Sequence, residues 1–153
     1  MVDALPAPEP GPSFARSLSA RLDAIESKFS KKDLLGRPPT MWRYMEMLPI
    51  RQPEKIVSLT ETVTPILETK RLAAEFGLKH LFVKDESRLP TGSFKARGMA
   101  MALSKANEFG TKSVACPTAG NAGGAMAAYA ARAGMEAYVF MPEDTPMINR
   151  KEC

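Results

Sequence analysis

Two stretches of this 153-residue sequence carry side chains at spacings that could do chemistry. The denser is Val83-Lys84-Asp85-Glu86-Ser87-Arg88-Leu89-Pro90-Thr91-Gly92-Ser93-Phe94-Lys95-Ala96-Arg97-Gly98. It reads as a strand running into a Pro-Thr-Gly turn, after which Ser93 is placed to open a helix as its N-cap. Lys95 then falls in the first helical turn, where the macrodipole disfavours a cation, and Arg97 follows close behind. An amine nucleophile must first shed its proton, so a lysine at this position has a physical reason to be reactive.

The second stretch is Thr118-Ala119-Gly120-Asn121-Ala122-Gly123-Gly124, after a strand-like segment and directly before an alanine-rich one. A strand-to-helix loop presents backbone N–H groups and a positive helix end, which suits an anion, and glycines let that anion approach closely. The glycine spacing is neither G-x-G-x-x-G nor a loop ending in G-K-[ST], so the stretch fails the two common nucleotide templates and argues against a dinucleotide or NTP site. Asn121 could also serve simply as a helix N-cap. Other single residues read as inert. His80 stands alone at a strand start, and Cys116 is a small hydrophobe at a strand end. Asp85 and Glu86, being adjacent on a strand, would face opposite sides.

The elements that must position these residues follow from pattern. Residues 1–13 alternate proline with small residues as an arm, and Phe14, Leu18, Leu22, Ile25 and Phe29 place an amphipathic helix over Ser13–Phe29. Residues 31–40 break it, and Met41–Pro49 reads as an apolar packing patch around the only tryptophan, Trp42. Beyond Glu61 helices and strands alternate: helix Thr69–Phe76 stopped by Gly77, strand Leu81–Lys84, and helix Phe94–Phe109 stopped by Gly110. Strand Ser113–Cys116, helix Ala122–Ala133 stopped by Gly134, strand Ala137–Met141 and a helix from Pro146 complete the series. That grammar predicts an α/β fold, a mostly parallel sheet with flanking helices. The last helical pattern closes without a return strand, so the sequence reads as the N-terminal part of a longer protein, inactive and loosely folded alone. Its organisation is an arm and helix over residues 1–40 and an incomplete domain over 41–153.

Composition excludes several classes. Hydrophobic residues are 44% and charged residues 25% of the chain, as in ordinary globular proteins. The net charge of +4 is spread evenly, and the only adjacent lysines are Lys31 and Lys32, so no basic stripe argues for nucleic acid. The apolar run Ala122–Ala131 is about half a membrane span. Two cysteines give neither a disulfide framework nor a metal site, so a cytoplasmic location and no metal are expected.

The two chemical stretches together resemble a known family. Thr91-Gly92-Ser93-Phe94-Lys95-Ala96-Arg97-Gly98 is similar to the lysine motif of fold-type II, tryptophan synthase beta-like, pyridoxal-phosphate enzymes, and Thr118-Ala119-Gly120-Asn121-Ala122 to their asparagine loop. Asn121 follows Lys95 by twenty-six residues, which fits that family. Trp42-Arg43-Tyr44, Leu48-Pro49 and Ser58-Leu59-Thr60-Glu61-Thr62-Val63-Thr64-Pro65 most resemble the threonine synthases within it. The resemblance covers residues 41–153.

This resemblance implies pyridoxal 5'-phosphate as cofactor, held by Lys95 as the Schiff-base lysine, with Asn121 bonded to the cofactor's phenolic oxygen. Thr118, Gly120 and nearby backbone N–H groups would hold the substrate carboxylate. Lys84 and Arg97 would give electrostatic support near a phosphorylated amino-acid substrate. The implied lyase reaction converts O-phospho-L-homoserine and water to L-threonine and phosphate, in a protein that could be a homodimer at full length. Threonine or serine dehydratase, diaminopropionate ammonia-lyase, and a non-catalytic remnant are the alternatives. Thr62 stands where glycine is usual, and Ala119 stands where a hydroxyl is common. The family's glycine-rich phosphate loop and pyridine-nitrogen partner normally lie further downstream, so an incomplete site is expected.

Overall fold

The computed structural model describes Asp23, Ile25 and residues 29–153. It divides into two compact units, Met1–Arg37 and Pro38–Cys153. In the first, Asp23 and Ile25 are helical, while the rest of the helix expected over Ser13–Phe29 and the proline arm lie outside the described residues, apart from a non-helical Phe29. The turn Lys31–Leu34 starts where the Asp33 carboxylate accepts hydrogen bonds from Ser30 N (2.6 Å) and Oγ (2.8 Å).

The second unit carries the chemistry. Its elements are β1 (Ile66–Glu68), α1 (Lys70–Glu75), β2 (Phe82–Lys84), α2 (Lys95–Glu108), β3 (Ser113–Pro117), α3 (Asn121–Ala133), β4 (Glu136–Phe140) and α4 (Met147–Glu152). The glycine stops behave as the sequence implies: Gly77, Gly110 and Gly134 each follow a helix at positive φ (63°, 72° and 67°), a region closed to most side chains.

The strands pair in two separate ways. β3 and β4 are parallel, in register from Ser113↔Glu136 to Pro117↔Phe140, with α3 as the crossover. β1 and β2 are antiparallel, with Ile66 opposite Lys84 and Glu68 opposite Phe82. Parallel pairing therefore holds for one pair and not for the other. The reason lies at Thr69, whose N–H (2.9 Å) and Oγ1 (3.1 Å) both donate to Leu81 O. With α1 so short, that clamp returns the chain alongside β1 in the opposite direction. Both pairs leave large apolar side chains exposed, among them Ile66, Phe82, Tyr138 and Phe140.

The core lies between α2 and α3. Ala96, Ala100 and Leu103 of α2 pack with Met126, Tyr129 and Ala130 of α3, and Val57, Leu89 and Met135 close the cluster. Small side chains on both helices allow close approach, and a well-filled interface of this kind supplies most of the stability of short helices. Ser104, also fully buried, is satisfied in the core. Its Oγ donates to Ala100 O (2.6 Å) and accepts from Val57 N (2.8 Å), pinning the strand-like segment before Ser58 to α2. The Met41–Pro49 patch divides: Met41 and Trp42 pack on this core, whereas Tyr44 and Met47 face outward. Among the described residues no helix is long and apolar enough to cross a membrane.

Candidate active site

Lys95 is the first residue of α2. The loop before it is fixed at both ends by burial of Leu89 and Ser93, and Gly92 (φ 65°) turns back to donate its N–H to Leu89 O at 2.8 Å. Phe94 occupies the position just before the helix, yet Ser93 does the capping: its Oγ accepts from Lys95 N (3.3 Å) and its carbonyl from Ala96 N (3.2 Å). The Lys95 side chain is half-buried, with Nζ 4.8 Å from the centre of the Phe94 ring, and it enters no ion pair among the described residues. In the loop before the helix, four residues ahead of Lys95, the buried Thr91 Oγ1 has no hydrogen-bond partner.

Asn121 begins α3, which packs directly on α2. The N-cap position falls on Gly120, in extended conformation (φ −146°, ψ −155°), and no side chain caps the helix. Asn121 is therefore not an N-cap, and its amide is exposed at the helix start. Thr118 shapes the loop: its N–H donates to Phe140 O (2.9 Å), carrying the β3–β4 pairing one step further, and its Oγ1 accepts from Gly120 N (3.2 Å). On the outer side, Asn149 Nδ2 of α4 donates to Ala119 O at 2.8 Å. The glycines divide by role. A Cβ on Gly120 would meet nothing within 4 Å, leaving that backbone open to an approaching ligand. On Gly123 it would lie 3.0 Å from Val139 Cγ1 and 3.1 Å from Cys153 Sγ and Thr118 Cγ2, and on Gly124 2.8 Å from Glu152 Cδ. Those two glycines serve packing against β4 and α4.

Lys84 and Arg97 meet at Glu86 rather than at Lys95. Arg97 grips the Glu86 carboxylate with Nε (2.7 Å to Oε2) and Nη2 (3.0 Å to Oε1), and Nη2 also reaches Thr62 O at 3.3 Å. Thr64 Oγ1 donates to Glu86 Oε1 at 2.5 Å, and Lys84 Nζ lies 3.8 Å from the same oxygen. The Arg97 hydrogen bonds, then Thr64 and the Arg97 and Lys84 charges, hold the Glu86 carboxyl down at about 2. Glu86 in turn raises Arg97 above its ordinary value. The strand reading of Asp85 and Glu86 is thus overturned. β2 ends at Lys84, and Asp85 starts a 3-10 turn over Glu86–Arg88 by accepting from Ser87 N (3.1 Å) and Oγ (2.5 Å).

Glu61 is the residue that local pattern misses most completely. It is fully buried, and its carboxylate accepts from Trp42 Nε1 (3.2 Å), Ser58 Oγ (2.8 Å), Leu59 N (2.8 Å) and the Tyr129 hydroxyl. Thr60 reaches this arrangement at φ 68°, the one non-glycine positive φ among the described residues. Such a conformation costs on the order of 1 kcal/mol and persists where surroundings over-determine it. The hub ties the Trp42 segment to α3, and so braces the helix that carries Asn121. His80 bonds through Nδ1 with Glu68 Oε1 (3.1 Å) and stacks on Phe82, away from these groups in sequence and bonding. Cys116 is half-buried against the core, and no cluster of metal-ligating side chains occurs among the described residues.

Comparison with known proteins bears on this geometry. The profile of the family described as "Pyridoxal-phosphate dependent enzyme" matches residues 57–153. The threonine synthase of Methanocaldococcus jannaschii is 44% identical over 121 residues, covering 79% of this chain and 30% of that protein. That of Methanosarcina acetivorans is 41% identical over 121 residues, covering 78% of this chain and 29% of the relative. The chain thus spans about 30% of the length of the curated relatives it matches. Among solved structures, a pyridoxal 5'-phosphate-dependent aspartate racemase superposes with a TM-score of 0.55 at 31% identity, over 58% of this chain and 29% of that one. The diaminopropionate ammonia lyase of Escherichia coli shares the fold over 94% of this chain and 33% of its own, with a TM-score of 0.53 at 23% identity.

Proposed function

The chain belongs to the family of pyridoxal-phosphate dependent enzymes, and from that membership we propose that it supplies the cofactor lysine and the asparagine loop of a threonine synthase. The reaction is conversion of O-phospho-L-homoserine and water to L-threonine and phosphate. The observation that carries the reading is the placement of Lys95. It is an amine outside any ion pair among the described residues, at the start of a helix packed on the helix that Asn121 opens, with the orphaned Thr91 hydroxyl in the loop that leads into it. Those features fit pyridoxal phosphate. An unpaired amine is what its aldehyde requires, and a buried hydroxyl with no protein partner suits a polar ligand atom. When bound, the cofactor supplies the electron sink that stabilises a carbanion next to the amino group.

The chain's own residues have separable tasks. Lys95 would hold the cofactor through Nζ and carry protons from that nitrogen during the reaction. Asn121 would donate its exposed amide to the cofactor's phenolic oxygen and fix the ring's orientation. Thr118 and the open Gly120 backbone, at the positive end of α3, would take the substrate carboxylate. Lys84 and Arg97 would raise the positive potential near the start of α2 and draw in a phosphorylated substrate. Residues 41–153 are the enzyme portion in this reading, and residues 1–40 an arm.

The test is a chimera in which residues 41–153 replace the matching segment of the Methanocaldococcus jannaschii threonine synthase. It should release phosphate from O-phosphohomoserine and make threonine, and borohydride reduction followed by peptide mapping should find the pyridoxyl group on Lys95. A well-folded chimera labelled on Lys84 or Lys105 instead would sink the assignment of the lysine. One that deaminates threonine or serine while ignoring phosphohomoserine would move the reading to a dehydratase. A folded chimera with neither label nor turnover would make the segment a non-catalytic remnant.

A further inference from the structure

Helix α4 holds the loop before Asn121 from outside, and α4 is itself anchored on either side of the contact. Towards its C-terminal end Glu152 and Cys153 lie over two glycines of α3. A Cβ on Gly124 would come within 2.8 Å of Glu152 Cδ, and one on Gly123 within 3.1 Å of Cys153 Sγ. Before the helix, Thr145 is buried and donates its N–H to Pro142 O (3.1 Å), which fixes the turn out of β4. Between these anchors stands the half-buried Asn149, whose Nδ2 donates to Ala119 O at 2.8 Å. A carbonyl only accepts, so the amide must present its nitrogen there.

Ala119 O and Gly120 N–H are the two edges of one planar peptide. Gly120 N–H donates to Thr118 Oγ1 at 3.2 Å, so the plane is clamped on both sides. The clamp closes on the residue that most needs it. Gly120 has no Cβ, and one placed there would meet nothing within 4 Å, so sterics alone would let this peptide rotate. Thr118 belongs to the loop itself; Asn149 supplies the restraint from beyond it, thirty residues further along the chain.

The clamp also orients a proton. Thr118 Oγ1 accepts from Gly120 N, and its own hydroxyl proton meets no acceptor among the described residues. With one lone pair occupied, that proton points elsewhere, and a donor polarised by a bond behind it is strengthened. The first N–H groups of α3 follow directly; they have no intrahelical partner, and no side chain caps them. Hydroxyl and amides together make a donor set for a carboxylate. We infer that Asn149 is a positioning residue for the substrate carboxylate: by holding the Ala119–Gly120 peptide, it aims the Thr118 hydroxyl at that group. The inference rests on the proposed reading of the Thr118 loop and deepens it.

The test measures binding to the cofactor-loaded chimera by isothermal titration with two analogues of O-phosphohomoserine. One, γ-phosphooxybutyrate, keeps the carboxylate and lacks the amine; the other, aminopropyl phosphate, keeps the amine and lacks the carboxylate. Asn149→Leu matches the side chain in size and donates nothing. It should weaken the carboxylate analogue on the order of tenfold and leave aminopropyl phosphate and the pyridoxyl label on Lys95 unchanged. Asn149→Gln, which restores the amide, should retain most of the lost affinity. Ile148→Ala, at an exposed neighbour on the same helix, should change neither analogue. Equal weakening of both analogues, undiminished carboxylate binding in Asn149→Leu, or the same selective loss in Ile148→Ala would overturn the inference. A chimera that deaminates threonine and ignores phosphohomoserine would end the proposed reaction without ending this one. For it the matching probes are β-hydroxybutyrate and isopropanolamine, and a loss in Asn149→Leu confined to β-hydroxybutyrate would still support Asn149.

Discussion

Tyr129 donates its hydroxyl to Glu61 across 68 residues of sequence, and both side chains are fully buried. Burial, reinforced by the hydrogen bond to the carboxylate and its charge, pushes the Tyr129 phenol well above its ordinary value, so the proton stays on tyrosine. Glu61 is held by four hydrogen-bond donors, and the Arg97 charge interacts with it as well. Tyr129→Phe removes one donor and should destabilise the chain by about 1–3 kcal/mol. Glu61→Ala should cost more, because it strands Trp42 Nε1, Ser58 and Tyr129 together. Urea denaturation checks both. Equal stability of Glu61→Ala and the parent would mean that the hub contributes nothing.

The Glu86–Arg97 pair gives the fold an acid-sensitive element. The Glu86 carboxyl lies at about 2 in the folded chain against 4.5 ordinarily. A carboxylate with a depressed folded value contributes fully above the unfolded value and loses that contribution as pH falls from about 4.5 towards 2. The contribution is about 2 kcal/mol once partial solvent exposure is allowed for. The stability difference between the parent and Glu86→Gln should therefore shrink across that interval. A difference independent of pH would show that the carboxylate's charge is not what matters there.

Two neighbouring glycines should respond in opposite directions. Gly124→Ala meets only the movable end of Glu152, so the gain in helix propensity, about 0.5–1 kcal/mol, should leave α3 neutral or stabilised. Gly123→Ala meets Val139, Cys153 and Thr118 on three sides and should destabilise by about 1–2 kcal/mol. It should also disturb the Thr118 loop. Thermal melts of the two variants give the comparison, and a stabilised Gly123→Ala would contradict the close packing of α3 on β4.

Asn121→Ala separates a ligand role from a structural one. The side chain is exposed and caps nothing, so stability should change by less than about 0.5 kcal/mol. Pyridoxyl labelling of Lys95 in the chimera should nevertheless fall. Loss of stability with labelling retained would assign Asn121 to the fold alone.

What the sequence revealed were features determined by near neighbours. Helix α2, expected over Phe94–Phe109, runs Lys95–Glu108, and α3, expected over Ala122–Ala133, runs Asn121–Ala133. In both, apolar period and a glycine stop lie within the element itself. The turns leading into Lys95 and Asn121 were legible for the same reason. β1 was not, because three residues hold no period, and its antiparallel partner was set by the Thr69–Leu81 clamp. Glu61 looked like any polar residue in a turn, since its donors arrive from 19 and 68 residues away. Glu86 was set aside by a strand rule that ceases to apply once β2 ends at Lys84.

The Glu61 hub also sets an order of assembly during synthesis. Ser58 and Leu59 can reach the carboxylate as soon as the turn is made, but Tyr129 emerges from the ribosome much later than Glu61. Chains grow at roughly 5–20 residues per second, so for several seconds Glu61 keeps its water and segment 38–61 has nothing to close upon. Only when α3 arrives can that carboxylate be dried. The nascent chain therefore stays open along this segment until the helix that Asn121 begins is complete, and segment 38–61 and the loop before Asn121 become ordered together.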